Sequence, residues 1–115
     1  MTKRFKVVLF IAIFVLGMFL TRFIYIEVNR FIYKNRVTNY LIEEKGYDES
    51  EIASVEGVYG FKMPEFYTVV IFTNEPYVEY IYFAHGSVSQ FEYQIIDAQY
   101  DNLSQDELKN YDPGY

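Results

Sequence analysis

The side chains that could do chemistry are few and scattered. His85 is the only histidine, and a lone histidine could serve as a general base or a metal ligand. The sequence sets no serine, cysteine or acidic partner beside it. The pair His85-Gly86 instead suits a two-residue hairpin turn, which needs positive φ at both positions; glycine takes that freely and histidine tolerates it better than most. Asp48, Glu49 and Glu51 form an acidic knot, yet they lack the alternating ligands, central glycine and terminal glutamate of a calcium loop. A solvated turn in which Asp48 or Ser50 caps a short helical step is expected there. Glu43 and Glu79 have the right chemistry for acid–base work, but no pattern brings two carboxylates into one apolar cleft. Glu43 and Glu44, neighbours on a helix, do not face one another. Asn102-Leu103-Ser104 matches a glycosylation acceptor, a match common by chance. The chain contains no cysteine, which excludes disulfides and thiolate metal sites. No catalytic, cofactor-binding or metal-binding residue is assigned, no cofactor is expected, and the chain reads as a non-enzyme.

The elements that carry these residues begin with Val7–Leu20, an unbroken apolar run behind Lys3, Arg4 and Lys6. A bilayer core needs roughly twenty helical residues, and Phe5–Ile26 supplies them. Lys6 and Arg22 stand near the ends, where long side chains snorkel, and Tyr25 suits an interface. An uncleaved anchor is expected, with the basic N-terminus cytoplasmic and the rest of the chain outside. Cleavage of the segment as a secretory signal after Val15-Leu16-Gly17 is the alternative.

No glycine or proline occurs between Gly17 and Gly46. Ile24, Val28, Phe31, Val37 and Leu41 recur at mostly helical spacing with Tyr40 beside them, and Gly46 suits a helix C′ position behind Lys45. One helix from about Arg4 to Lys45 is the economical reading; a break near Asn29 or Asn35 is the other. Either way Val37, Tyr40 and Leu41 need a surface to pack on.

Strand patterns at Ile52–Phe61, Phe66–Thr73, Tyr77–Ala84 and Val88–Ile96 supply that surface. Turns fall at Lys62–Glu65, Asn74-Glu75-Pro76 and His85-Gly86. Gly57 and Gly60 weaken the first strand or mark a bulge. A tight turn at His85-Gly86 sets Ala84 opposite Ser87, Tyr82 opposite Ser89, Tyr80 opposite Phe91 and Val78 opposite Tyr93, all on the core face. Glu79, Ile81, Phe83, Gln90, Glu92 and Gln94 then take the other face, with Glu79 opposing Glu92 at some electrostatic cost. Ser104–Asn110 has capping-box spacing for a short helix, and the Asp112-Pro113-Gly114 end is expected to fray.

Composition narrows the partners. Residues 27–115 hold six basic and sixteen acidic side chains, a net of −10, which repels nucleic acid. Aromatic residues make up 21% of the chain, enough to build a core without staples. Tyr67, Val69, Ile71, Ile81 and Phe83 fall on the sheet face away from the assigned core. They form a candidate partner surface, unless the C-terminal tail or a second copy covers that face, or the faces are inverted.

The run Tyr40-Leu41-Ile42-Glu43-Glu44-Lys45-Gly46-Tyr47 with Ser50-Glu51-Ile52, and Asn74-Glu75-Pro76 leading to Val78-Glu79-Tyr80-Ile81-Tyr82-Phe83, together resemble an uncharacterised family of short Gram-positive bacterial membrane proteins, domain-of-unknown-function family 3139. The resemblance implies an N-terminal hydrophobic segment followed by a small α+β unit, and it carries over no site.

The sequence therefore describes an α+β protein. Residues 1–4 form a cytoplasmic tail and 5–26 a transmembrane anchor. Residues 27–100 form an extracytoplasmic domain in which an amphipathic helix packs on a four-stranded antiparallel sheet, and 101–115 are a polar tail. The meander is close to cystatin-like and propeptide-like topologies. The expected partners are the lipid bilayer and a protein or peptide; oligomeric state is left open. The alternatives are a structural subunit of a membrane complex and a secreted effector.

Overall fold

The computed structural model describes residues 2–60 and 65–113. One helix, α1 (Lys3–Asn39), runs without interruption and ends in a π turn at Tyr40–Glu44. The two-helix alternative falls: no residue in this stretch breaks the ladder. The Thr2 side chain accepts from the Phe5 N–H to start the helix. At the far end Gly46 takes φ +78°, and the Tyr47 N–H reaches back to the Leu41 carbonyl at 3.0 Å, the closure expected of a helix ended by a left-handed glycine. Lys3–Glu44 is long and apolar enough to cross a membrane by length and composition.

Four strands follow in a meander ordered β1-β2-β3-β4: β1 (Ile52–Tyr59), β2 (Phe66–Phe72), β3 (Val78–Phe83) and β4 (Ser89–Ile95). All pairings are antiparallel, so the chain is an α+β protein. The turn expected at Lys62–Glu65 falls mostly outside the described residues.

The helix packs on one face of the sheet. Val37 and Leu41 are fully buried against Val70, Phe72, Val78 and Tyr80. The helical face that meets the sheet differs from the expected one higher up. Ile24, Val28 and Phe31 point away and are 58%, 48% and 65% exposed. The sheet-facing positions there are Arg22, Arg30 and Tyr33, which reach it through polar atoms and ring edges. Arg22 Nη2 donates to the Tyr59 hydroxyl at 2.8 Å and Arg30 Nε to the Gly57 carbonyl at 2.9 Å. The Tyr33 ring lies 5.5 Å from that of Phe66. Apolar periodicity picked a stripe of the right period on the wrong side, because the true contact stripe is part polar.

Gly57 explains how β1 tolerates its glycine. A Cβ there would sit 2.4 Å from the Arg30 carbonyl oxygen, so the missing side chain is what lets helix and strand touch. The irregularity in β1 falls between Ile52 and Ser54 instead.

The register of β3 with β4 corrects the expected one. Val78 lies opposite Ile95 and Tyr80 opposite Tyr93; a bulge at Phe91 follows, and Tyr82 then faces Gln90. The turn is longer than two residues, and among the described residues only glycines take positive φ, Gly86 at +91°. His85 therefore does not adopt the left-handed conformation expected of it. The shift relieves the like-charge pair, since Glu79 now opposes Gln94 and Glu92 opposes Ile81. It also moves three residues between faces: Gln90 turns inward, 1% exposed, while Phe91, 37% exposed, and Ser89, now opposite Phe83, turn outward.

The C-terminal segment belongs to the folded unit. A single 3₁₀ turn at Gln105–Glu107 replaces the expected helix. Leu108 and Asn110 are buried, Pro113 bridges to Gln90 at the β4 edge, and Asp112 pairs with Lys45 at 2.7 Å. The expected fraying at Asp112 and Pro113 is thus replaced by a strap on the helix side of the sheet; Gly114 lies outside the described residues.

Among the described residues, one buried side-chain oxygen has no partner: Thr68 Oγ1, on a residue with no exposed surface. Thr68→Val replaces an unsatisfied hydroxyl with a methyl of similar volume and is expected to stabilise the fold by about 1 kcal/mol. A fall in the thermal midpoint of the valine variant would contradict this.

Candidate functional site

The five residues singled out from the sequence come together on one surface. Along β2, Thr68, Val70 and Phe72 are buried, so by alternation Tyr67, Val69 and Ile71 take the opposite face. Val69 pairs directly with Ile81, and Phe83 follows Ile81 on the same side of β3. All five are half-buried. The β4 bulge adds a residue that the sequence placed in the core: the Phe91 ring meets that of Phe83 edge-on at 6.4 Å. Nothing in the local sequence of β4 signals the bulge. Helix and strap both lie on the other face, so the faces are not inverted and the C-terminal strap is not what covers this stripe. Glu56 pairs with Val69 and Glu92 with Ile81, so carboxylates border the stripe.

His85 sits at the corner of this surface. Its Nδ1 lies 3.0 Å from the Tyr33 hydroxyl, and its ring lies 6.2 Å from that of Phe83. The acidic knot forms a 3₁₀ turn at Glu49–Glu51 headed by Asp48, whose N–H donates to Glu51 Oε1 at 3.2 Å. Glu43 is exposed on the helix side and Glu79 lies on the outer face, so the two do not meet. Asn102 is exposed. Among the described residues no three histidine, aspartate or glutamate side chains gather as a metal site would require.

Sequence reasoning missed the buried carboxyl of Glu75, which has no exposed surface. The Tyr80 hydroxyl and Asn110 Nδ2 donate to its Oε1, and the Lys109 N–H donates to Oε2 at 2.8 Å. Every neighbour of its oxygens is a donor, which suits an acceptor-only carboxylate. Asn110 is the hub of the network: it also bonds Asn74 through Nδ2, accepts from Tyr47 Oη at 3.1 Å, and its carbonyl accepts from Gln90 Nε2 at 2.9 Å. Gln90 Nε2 also donates to the Tyr82 hydroxyl, and Gln90 Oε1 accepts from the Asp112 N–H at 2.8 Å. Glu75 and Gln90 together hang the strap on the sheet.

The two distinctive sequence pieces meet at this network. Lys45 pairs with Asp112, Gly46 turns the chain, and the Tyr47 ring packs 4.8 Å from that of Phe72. Glu75 and Tyr80 come from the second piece. A family model described as "Protein of unknown function (DUF3139)" matches residues 2–82. The chain belongs to this family. The family match takes in α1 and β1 to β3 up to Tyr82, and stops short of β4 and the strap that complete the network. No curated protein and no solved structure matches the chain.

Burial raises the phenol pKa values of Tyr80, Tyr82 and Tyr47; for Tyr80 the Glu75 hydrogen bond adds to it, and for Tyr47 the Asp112 charge does. A group whose folded pKa is raised contributes stability that is fully present below its unfolded value, near pH 10 for tyrosine, and is lost as pH climbs beyond. Each such phenol removes about 1.4 kcal/mol per pH unit above that point. The thermal midpoint of the full chain in detergent should hold to about pH 10 and then fall steeply, and Tyr82→Phe should flatten the fall. An unchanged alkaline slope in that variant would contradict the assignment.

Proposed function

We propose that this chain is a non-enzymatic, membrane-anchored extracytoplasmic protein whose outer sheet face, Tyr67, Val69, Ile71, Ile81 and Phe83, binds a protein or peptide. One observation carries the reading: helix and strap both pack on the inner face, leaving an aromatic and aliphatic stripe on the other. Apolar patches bordered by polar residues are typical of partner sites. The bordering carboxylates favour a partner with basic groups around an apolar centre.

The candidate span with Lys3, Arg4 and Lys6 ahead of it supports a single pass with the N-terminus cytoplasmic; the Gram-positive cell membrane is what the family resemblance implies. Continuity of α1 from span to sheet supports retention of the anchor over release as a secreted effector. The test places a photo-reactive amino acid at Ile81 in the full chain in cells. A specific adduct is expected, falling at least five-fold when Tyr67 and Phe83 are both changed to alanine. An adduct of unchanged yield in that double variant would sink the proposed face.

A further inference from the structure

The back of α1 offers a second surface, which none of the described residues covers. Ile24, Val28 and Phe31 are 58%, 48% and 65% exposed. Val28 and Phe31 lie beyond Glu27, the first acidic residue after the apolar run, where an upright helix has left the hydrocarbon. Their spacing, extended down to Gly17 and Thr21 and up to Asn35, alternates by three and four residues. That is the a/d repeat of a left-handed coiled coil. At about 100° per residue this seam is centred about 180° around the helix from the stripe of Ile26, Arg30, Tyr33 and Val37 on the sheet side.

We infer that α1 pairs in parallel with the α1 of a second copy along this seam, from inside the span to Asn35. The occupant follows from the geometry. Single-pass copies inserted the same way have parallel helices, and a seam opposite the sheet lets two copies join while their acidic domains point outward, away from each other. In the span a Cβ at Gly17 would meet nothing within 4 Å, leaving room for close approach. The Thr21 hydroxyl donates to the Gly17 carbonyl at 2.8 Å, so it needs no other acceptor. Above the span, Ile24, Val28 and Phe31 would fill the seam, and Asn35 would close it with a polar layer of the kind that fixes register. At roughly 100 Å² per apolar side chain, Ile24, Val28 and Phe31 remove about 300 Å² from each copy. The span below it raises this toward the about 800 Å² per partner of a stable interface.

The inference rests on the anchored reading of the chain. Because the chain has no cysteine, single-cysteine variants report cleanly. Ile24→Cys, Val28→Cys and Phe31→Cys lie on the seam; Phe23→Cys and Lys34→Cys are exposed positions off it. Full-length variants in native membranes are oxidised and run without reductant, and carbonate extraction of the same membranes reports anchoring separately. Disulfide-linked dimer at least five-fold above the off-seam variants is the expected result. Equal linkage at all five positions, linkage to a protein of another mass, or monomer throughout with the chain still in the carbonate-resistant pellet would each overturn the pairing and leave the anchor standing. Release of the chain by carbonate would remove the anchor and the pairing together.

Discussion

Glu75→Gln is expected to destabilise the domain by about 3 kcal/mol and to free the C-terminal strap. The substitution keeps the shape of the side chain but puts an amide NH₂ where the Tyr80 hydroxyl, Asn110 Nδ2 and the Lys109 N–H converge. At least one pair of donors must then face each other around a side chain with no exposed surface, and each unsatisfied buried donor costs about 1–3 kcal/mol. For a domain of this size such a loss lowers the thermal midpoint by about 15 °C. The strap should respond first, because the Lys109 N–H loses its acceptor. Amide exchange at Lys109, Asn110 and Asp112 should quicken before that of β2 and β3. A midpoint within about 2 °C of the parent, with strap amides still protected, would show that Glu75 does not hold it.

The second large effect is expected at Gly57. Alanine places a Cβ 2.4 Å from the Arg30 carbonyl oxygen, a backbone atom that cannot swing aside. Helix and β1 must separate, which stretches the bond from Arg30 Nε to the Gly57 carbonyl. The cost is about 3 kcal/mol, the upper range of overpacking. Gly60→Ala is the matched control, since its Cβ would meet only the Tyr67 ring at 3.4 Å, and it should cost under about 1 kcal/mol. Equal midpoints for the two variants would remove the close approach as the reason for the glycine in β1.

Much of the framework could be read from local chemistry. The absence of glycine and proline between Gly17 and Gly46 allows one helix and leaves a break near Asn29 or Asn35 open, and alternation of β-branched and aromatic residues marks all four strands within two residues. What stayed hidden depends on contacts between distant positions. Asn74-Glu75-Pro76 reads as a turn and is one, yet the burial of Glu75 depends on Lys109 and Asn110, more than thirty residues away. The strap looks like a polar tail because its anchoring groups are backbone amides and one asparagine. The β4 bulge could have been suspected from the Glu79–Glu92 conflict, but not placed. The five candidate residues share one face because β2 and β3 alternate strictly, whereas Phe91 joins them only through the bulge.

The bond between Arg22 and Tyr59 joins the end of β1 to the apolar part of α1, so the sheet is clamped near the candidate span as well as at Val37 and Leu41. No hinge separates the two. A change in bilayer thickness that tips a spanning helix by about 10° would swing the Glu44 end of α1 by about 6 Å over its roughly 33 Å reach from Arg22. The outer face would swing with it. In the anchored protein proposed above, the direction in which that face points is tied to the lipid around the helix, and its bearing varies with the thickness of the bilayer.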